Sequence, residues 1–503
     1  MKRKDLITIL LIVICIFLFL GLTGTITSGY HFVDDHEIIR IKADFESMNL
    51  FEITKKWIKD DLNIRFRPLY YFLRIVQTRL FGSNFFIWSV CTGLLACIAM
   101  VAFYMAMRNF QFTVEESILF LVISFIGQQM DVWWRLGPNE TIGVVFLALS
   151  FFFMSRNCNK IQKVNNLFFV IFLILSSFCK ESFIIIIPGV IFFKILKERT
   201  IQKWSIRETV IKNLYLIIPI IIMFVELYII VFYVGTNKIG YAGLDSSFLN
   251  TLNGVKNIIF NFISFKLVLG SILIIILIAY LTYKKLYDFK LIILPALLCI
   301  LIVLPNLVLY AKSGLWGRYL IPSSIGVAFI IISVIKALDE KLIWIKRLAI
   351  IGLFVFFIPL FKDSVKAAKT FSKEGRNIAI LVQKIRENYK EDSKLLMVVD
   401  PIAYYEQSYS FKTYLELEYN INLFGYAINN SPDEEFSESQ TKGWYQYFNG
   451  RTVENMDSIP DLIIFLDKDL VNDFFEISDY KLYDYENVIH KNPLYALLNN
   501  KTN

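Results

Sequence analysis

Apolar positions along this chain come in long unbroken runs rather than in alternation. Leu6 to Leu22 is one run, and Leu214 to Val234 is another, interrupted by charge only at Glu226. A run of about 20 apolar residues spans the hydrocarbon core as a helix. In lipid, only helices and closed barrels satisfy their own backbone polar groups. Barrel strands alternate and these runs do not, so the pattern predicts helices. About eleven spans follow from run length. Their cores lie near 6–25, 86–107, 115–131, 140–155, 166–179, 182–196, 214–234, 267–283, 291–310, 320–336 and 346–362.

The loops between these runs alternate in charge. Lys2-Arg3-Lys4, Arg156 to Lys163, Lys194 to Lys212, Lys284-Lys285 and Lys336 to Arg347 fall on one side. An excess of Lys and Arg marks the cytoplasmic side. The N-terminus is therefore expected inside, and an odd number of spans puts the tail outside. The outer face then holds Ile26 to Asn84, Met130 to Asn139, Cys179-Lys180-Glu181 and Lys312 to Tyr319. Thr236 to Phe265 reads as an interfacial outer loop. The first apolar run is long and lacks a clear cleavage site, so it is expected to stay as a signal-anchor.

Beyond the last span the pattern changes. Asp363 to Lys390 has the spacing of an amphipathic helix. Leu395 to Val399 and Leu462 to Leu466 read as short buried strands, each followed by an aspartate. Ser431 to Lys442 is polar and loop-like. The expectation is an all-α polytopic membrane module over 1–363 and a small extracytoplasmic α/β domain over 364–503.

Composition agrees. Of 503 residues, 56% are hydrophobic and only 19% charged, too few charges for a soluble chain of that size. The net charge of +8 conceals a split. Residues 364–503 carry 15 Lys and Arg against 22 Asp and Glu, so the basic excess sits among the membrane segments. That distribution fits loop anchoring and argues against nucleic acid as a partner. The six cysteines lie in or beside apolar runs, without metal-type spacing or a disulfide framework.

Several charged residues stand out. His31-Phe32-Val33-Asp34-Asp35-His36-Glu37 puts three carboxylates at a membrane surface, in the same loop as Arg65-Phe66-Arg67-Pro68. Taken alone it is either a solvated loop or a functional cluster. A carboxylate near the low-dielectric boundary is costly unless partnered or used. It can serve as a general base towards a hydroxyl, and a pair can hold a divalent cation. Lys180-Glu181 interrupts two short apolar segments, either as a self-neutralising pair or as a cation aimed at an anionic substrate. Arg135 and Glu140 flank an outer turn whose tryptophans suit an interfacial belt. Arg318, before Tyr319-Leu320-Ile321-Pro322, either snorkels or forks onto phosphate oxygens. Glu226 is an intramembrane carboxylate and so a functional candidate.

Four stretches occur in a telling order: Asp34-Asp35, Arg67-Pro68-Leu69, Lys180-Glu181 and Arg318-Tyr319-Leu320-Ile321-Pro322. In that order the chain resembles the GT-C superfamily of membrane glycosyltransferases. The nearest patterns are protein O-mannosyltransferases and bacterial polyprenyl-phosphate-sugar transferases. The resemblance covers residues 1 to about 335. It implies inverting transfer of a sugar from a polyprenyl-phosphate donor to a hydroxyl of an envelope glycan, lipid or protein. It makes Asp34 the base, with Asp35 where the family often has Glu. It assigns the leaving phosphate to Lys180 and Arg318, with Arg67 as a further candidate. Glu181, Arg135 and Tyr319 are supporting residues. Some members use a divalent metal, for which Glu140 with Asp34 would be the ligands. The competing readings are a transporter or flippase of lipid-linked saccharide, with Glu226 on its path, and a surface-polysaccharide ligase or polymerase. An acyltransferase would have only His31, His36 and His490 as its base.

Overall fold

The computed structural model describes residues 3–157, 162–235, 248–262, 290–312, 314–315, 317–338, 340–428, 441–448, 451, 459–478, 480–487 and 495–500. Among these, six helices are long and apolar enough to cross a membrane, and a shorter apolar one spans Lys163–Ser177. The chain is a multi-pass membrane protein. The span expected near 267–283, most of the polar loop 431–442, and Cys158 and Trp316 lie outside the described residues.

The chain forms two compact units. The first comprises residues 1–23, 54–74 and 89–368. It holds α1 (Arg3–Thr23), α3 (Leu50–Asp61) from Thr54 on, the start of α4 (Pro68–Phe81), and most of α5 (Phe85–Asn109). Next come α6 (Val114–Phe125), α7 (Asn139–Arg156), α8 (Lys163–Ser177), α9 (Glu181–Ile184), α10 (Ile187–Gln202), α11 (Ile206–Lys212) and α12 (Ile217–Tyr228). Last are α13 (Phe248–Phe262), α14 (Lys290–Leu309), α15 (Ile321–Lys336) and the first part of α16 (Ile343–Asn388).

Phe329 of α15 centres the core of this unit. Its ring lies 5.2 Å from Phe120, 5.5 Å from Phe193 and 5.7 Å from Phe151. Such pairs add roughly 0.5–1.5 kcal/mol each beyond area burial. Polar contacts fix the helix pairs. Asp5 of α1 accepts from Arg108 at 2.8 Å and from Tyr104 at 3.0 Å on α5. Ser176 of α8 donates to the Gly143 carbonyl of α7. Asn306 of α14 meets Ser323 of α15 at 2.9 Å.

Three helices differ from the hydropathy pattern. The expected span 115–131 stops at Phe125, because Gly127 takes φ 126° and the chain turns into a 3-10 segment, Gln128–Trp133. The expected span 182–196 breaks after Ile184 and restarts at Ile187 with Pro188 in its first turn, where the missing N–H costs nothing. The last span and the amphipathic segment after it form one helix of 46 residues, which runs through Pro359 without ending. The loop 26–84 is also largely helical, and α13 covers part of the expected interfacial loop.

The second unit joins residues 369–503 to two pieces of that loop, 24–53 and 75–88. Its sheet has the order β2-β1-β3-β5-β4, with β1 Leu395–Val399, β2 Leu423–Ala427, β3 Leu462–Phe465, β4 Tyr485–Asn487 and β5 Ala496–Asn500. β2, β1 and β3 are parallel, and β5 and β4 add antiparallel. The two strands expected from the sequence are the central parallel pair. Every residue of both is buried, as continuous apolar runs in a covered sheet require. Within this unit α2 (His36–Asp44) packs on α17 (Tyr405–Tyr419). Tyr30 stacks on Tyr414 at 3.9 Å and donates to the Ser410 carbonyl, and Lys42 pairs with Glu418 at 2.9 Å. That packing draws the loop segments into one unit with the tail.

Candidate active site

Chemistry gathers in the first unit where four helix starts meet. The chain leaves α8, extends through Lys180 at φ −163° and ψ 146°, and begins α9 with Glu181. Lys180 is 1% exposed. Its Nζ lies 2.7 Å from Oε1 of Glu140, in the first turn of α7. A helix N-terminus favours a carboxylate in that turn. Arg318, in the 3-10 turn Gly317–Leu320 before α15, places Nε 3.8 Å from the other oxygen of Glu140. Glu140 thus stands between two cations. Tyr319 supplies a ring 4.8 Å from Lys180 Nζ and 5.7 Å from Arg318 Cζ. Tyr310 stacks on that ring at 4.6 Å, and Asn306 donates to the Tyr319 carbonyl, so the ring is held from behind.

A second carboxylate extends the cluster. Asp131 lies 3.3 Å from Arg135 Nε and feels Arg318 and Glu140. Burial pushes its carboxyl up to about 6, while Arg135 and Arg318 pull it down. Sequence reasoning passed over Asp131 because it stood at the end of an expected span. The signal was Gly127, four residues before it.

Arg67 anchors a third part. Its backbone N–H and its guanidinium both donate to Asp61, and Nη2 reaches the Tyr71 hydroxyl at 3.1 Å. The Leu69 N–H donates to the Phe178 carbonyl, tying this turn to the one that carries Lys180. Burial raises the Asp61 carboxyl against the pull of Arg67. For Arg67, burial opposes the charge, but Tyr71, Asp61 and Glu181 hold the guanidinium well above its usual range. Asp61 was also missed, being one acid in the charged run Lys59-Asp60-Asp61.

Several buried polar atoms here lack a hydrogen-bond partner among the described residues: Asn139 Nδ2, Glu181 Oε1, Ser182 Oγ and Asp131 Oδ1. Buried polar groups are almost always satisfied. The arrangement therefore offers a polar ligand both fixed cations and open hydrogen-bonding atoms.

Asp34 and Asp35 belong to the second unit. Asp35 is 2% exposed, and its Oδ2 accepts from the His31 N–H at 3.0 Å, closing the loop ahead of α2. Asp34 is half-buried and holds φ 67°, a left-handed conformation costly for a residue with a Cβ. The two aspartates thus differ: Asp35 is bound into the loop, and Asp34 stands at its strained tip.

No family model matches the chain. No curated protein matches it either. Among solved structures it is similar to ArnT from Cupriavidus metallidurans, crystallised with undecaprenyl phosphate. The TM-score is 0.47 and the identity 11%, over 96% of this chain and 97% of that one.

Among the described residues no three His, Cys, Asp or Glu side chains gather as a metal-ligand set. Glu140, expected as a candidate metal ligand, is engaged by Lys180 and Arg318 instead. A divalent cation would have to displace both, so the residues present do not fit one. Glu226 is buried, with one oxygen accepting from Ser177 Oγ at 2.9 Å.

Proposed function

We propose that this chain is a membrane glycosyltransferase that takes a sugar from a polyprenyl-phosphate carrier at the outer face. The observation that carries this reading is the Glu140 carboxylate held between Lys180 and Arg318, beside buried polar atoms that have no partner among the described residues. A phosphate leaving group needs fixed positive charge in a water-poor place, and cations held in position before the donor arrives need no reorganisation. Lys180 and Arg318 bind the phosphate oxygens, and Glu140 and Tyr319 position them. Arg67 and Arg135 add positive charge, each steadied by its own aspartate, and Glu181 orients the turn.

The reaction breaks the bond between the sugar anomeric carbon and the phosphate oxygen. It forms a bond from that carbon to an acceptor hydroxyl, with inversion, and releases polyprenyl phosphate. The acceptor proton goes to a carboxylate, which the motif order assigns to Asp34 ahead of Asp35. The acceptor is a hydroxyl of an envelope glycan, lipid or protein, and the N-terminus lies in the cytoplasm with the tail outside.

The test is transfer by the purified chain in nanodiscs, using a panel of radiolabelled polyprenyl-phosphate sugars. Sugar transfer, lost in Lys180→Met and Arg318→Ala, supports the reading. Lipid translocation across liposomes without any transfer would replace it with a transporter.

A further inference from the structure

The second unit carries a cluster of tyrosines beside the start of α2. On α17, Tyr405 and Tyr409 are one helical turn apart and only half-buried. Tyr447 leans across both, with ring centroids 5.7 Å from Tyr405 and 4.6 Å from Tyr409. Tyr447 itself is 39% exposed. His36 meets Tyr409 edge-on at 5.2 Å, and Arg40, one turn further along α2, places Cζ 6.0 Å from the same ring. Glu37 and Arg40 both act on the Tyr409 hydroxyl. The patch therefore combines three aromatic rings with a carboxylate, a guanidinium and an imidazole.

Its rigidity is built from below. Trp444 is fully buried, donates to Ser408 Oγ at 2.7 Å and packs on Phe448 at 4.4 Å. The Tyr445 hydroxyl accepts from the Ala427 N–H of β2. These two anchors fix the backbone segment that carries Tyr447. An exposed aromatic group held in one place costs little entropy when a ligand lands on it.

We propose that this patch is a saccharide-binding surface that seats the acceptor glycan. A pyranose presents a flat C–H face and a rim of hydroxyls. The tyrosine rings match the face, and Glu37 and Arg40 match the rim with charge-assisted hydrogen bonds. The chain gives the surface its place: α2 begins two residues after Asp34, so the rim residues stand on the first turns that follow the assigned base. The acceptor role rests on the proposed function, but saccharide binding by the patch does not.

The experiment is saturation-transfer difference NMR on the full chain in nanodiscs. The probes are di- and tetrasaccharides of glucose, galactose, mannose and N-acetylglucosamine. At least one is expected to receive saturation on its C–H protons. Tyr447→Ala and Tyr409→Ala should weaken that binding at least tenfold, and Tyr447→Phe, which keeps the ring, should preserve most of it. Unchanged melting temperatures in the variants would tie the loss to the surface. No binding to the native chain, or binding indifferent to both alanines, would overturn the proposal. Saccharide binding without any transfer from polyprenyl-phosphate sugars would sink the proposed function and leave this surface standing.

Discussion

Lys180 Nζ lies 2.7 Å from Glu140 Oε1, and both side chains are almost wholly buried, at 2% and 1% exposure. Removing either partner takes the nearest counter-charge from the other in a poorly solvated place, and breaking such a buried pair costs up to about 3–5 kcal/mol. Lys180→Met and Glu140→Gln should each lower the melting temperature markedly. The double variant should recover much of that loss while remaining without transfer. Additive destabilisation in a double-mutant cycle would argue that the two side chains do not interact.

Asp131 makes stability depend on pH. Its folded value of about 6 lies above the unfolded value of about 3.9, because burial disfavours the charged form. The folded state therefore binds more protons between those values, and stability falls as pH rises through that window. Below about 4 and above about 6 the effect is flat. The melting temperature of the native chain minus that of Asp131→Asn should decline from pH 4 to pH 6. A difference that grows with pH would mean the arginines, not burial, dominate.

Asp34 holds a left-handed backbone that glycine adopts freely. Asp34→Gly should raise stability slightly, since it relieves about 1–2 kcal/mol of strain but gives the unfolded chain glycine's extra entropy. Asp34→Asn should leave stability near native. Both should abolish sugar transfer in nanodiscs, since neither can take a proton. Full activity in either would remove Asp34 as the base.

Gly143 of α7 lets Phe183 of α9 pack directly against it, and an added Cβ would collide with that ring. Gly143→Ala should cost roughly 1–3 kcal/mol through overpacking. Because α9 follows Lys180, transfer should fall further than expression does. A smaller partner side chain, in Gly143→Ala with Phe183→Leu, should restore both.

Residues 364–503 contain no cysteine, so a single new one reports on the tail. Glu391→Cys, at an exposed position, should be labelled by a membrane-impermeant maleimide in intact cells. Protection until the cells are opened would invert the assigned topology.

Among the described residues most of the long apolar runs are helices, two of the expected spans being cut short or broken, and Leu395 to Val399 is a buried strand, because each depends mainly on neighbours within a few residues. Lys180 was also legible as a candidate, a charge between two short apolar segments, as were Glu140 and Arg318 at helix ends and Arg67 in its loop string. Their partners were not. Glu140 meets Arg318 across 178 positions of sequence, and no local period records such a pairing. Asp131, at the end of an expected span, and Asp61, in a charged run, carried no mark until folding set them beside arginines.

Hydropathy by itself determined that this chain crosses a membrane in helices, since backbone in lipid has almost no other way to satisfy its hydrogen bonds. The tertiary structure decided what the charges between the apolar runs do. It ended α6 early at Gly127, set Glu140 between two cations, and drew residues 24–53 and 75–88 into one unit with the tail. Those outcomes depend on burial and long-range packing, and burial is what turns a scattered set of charges into a site.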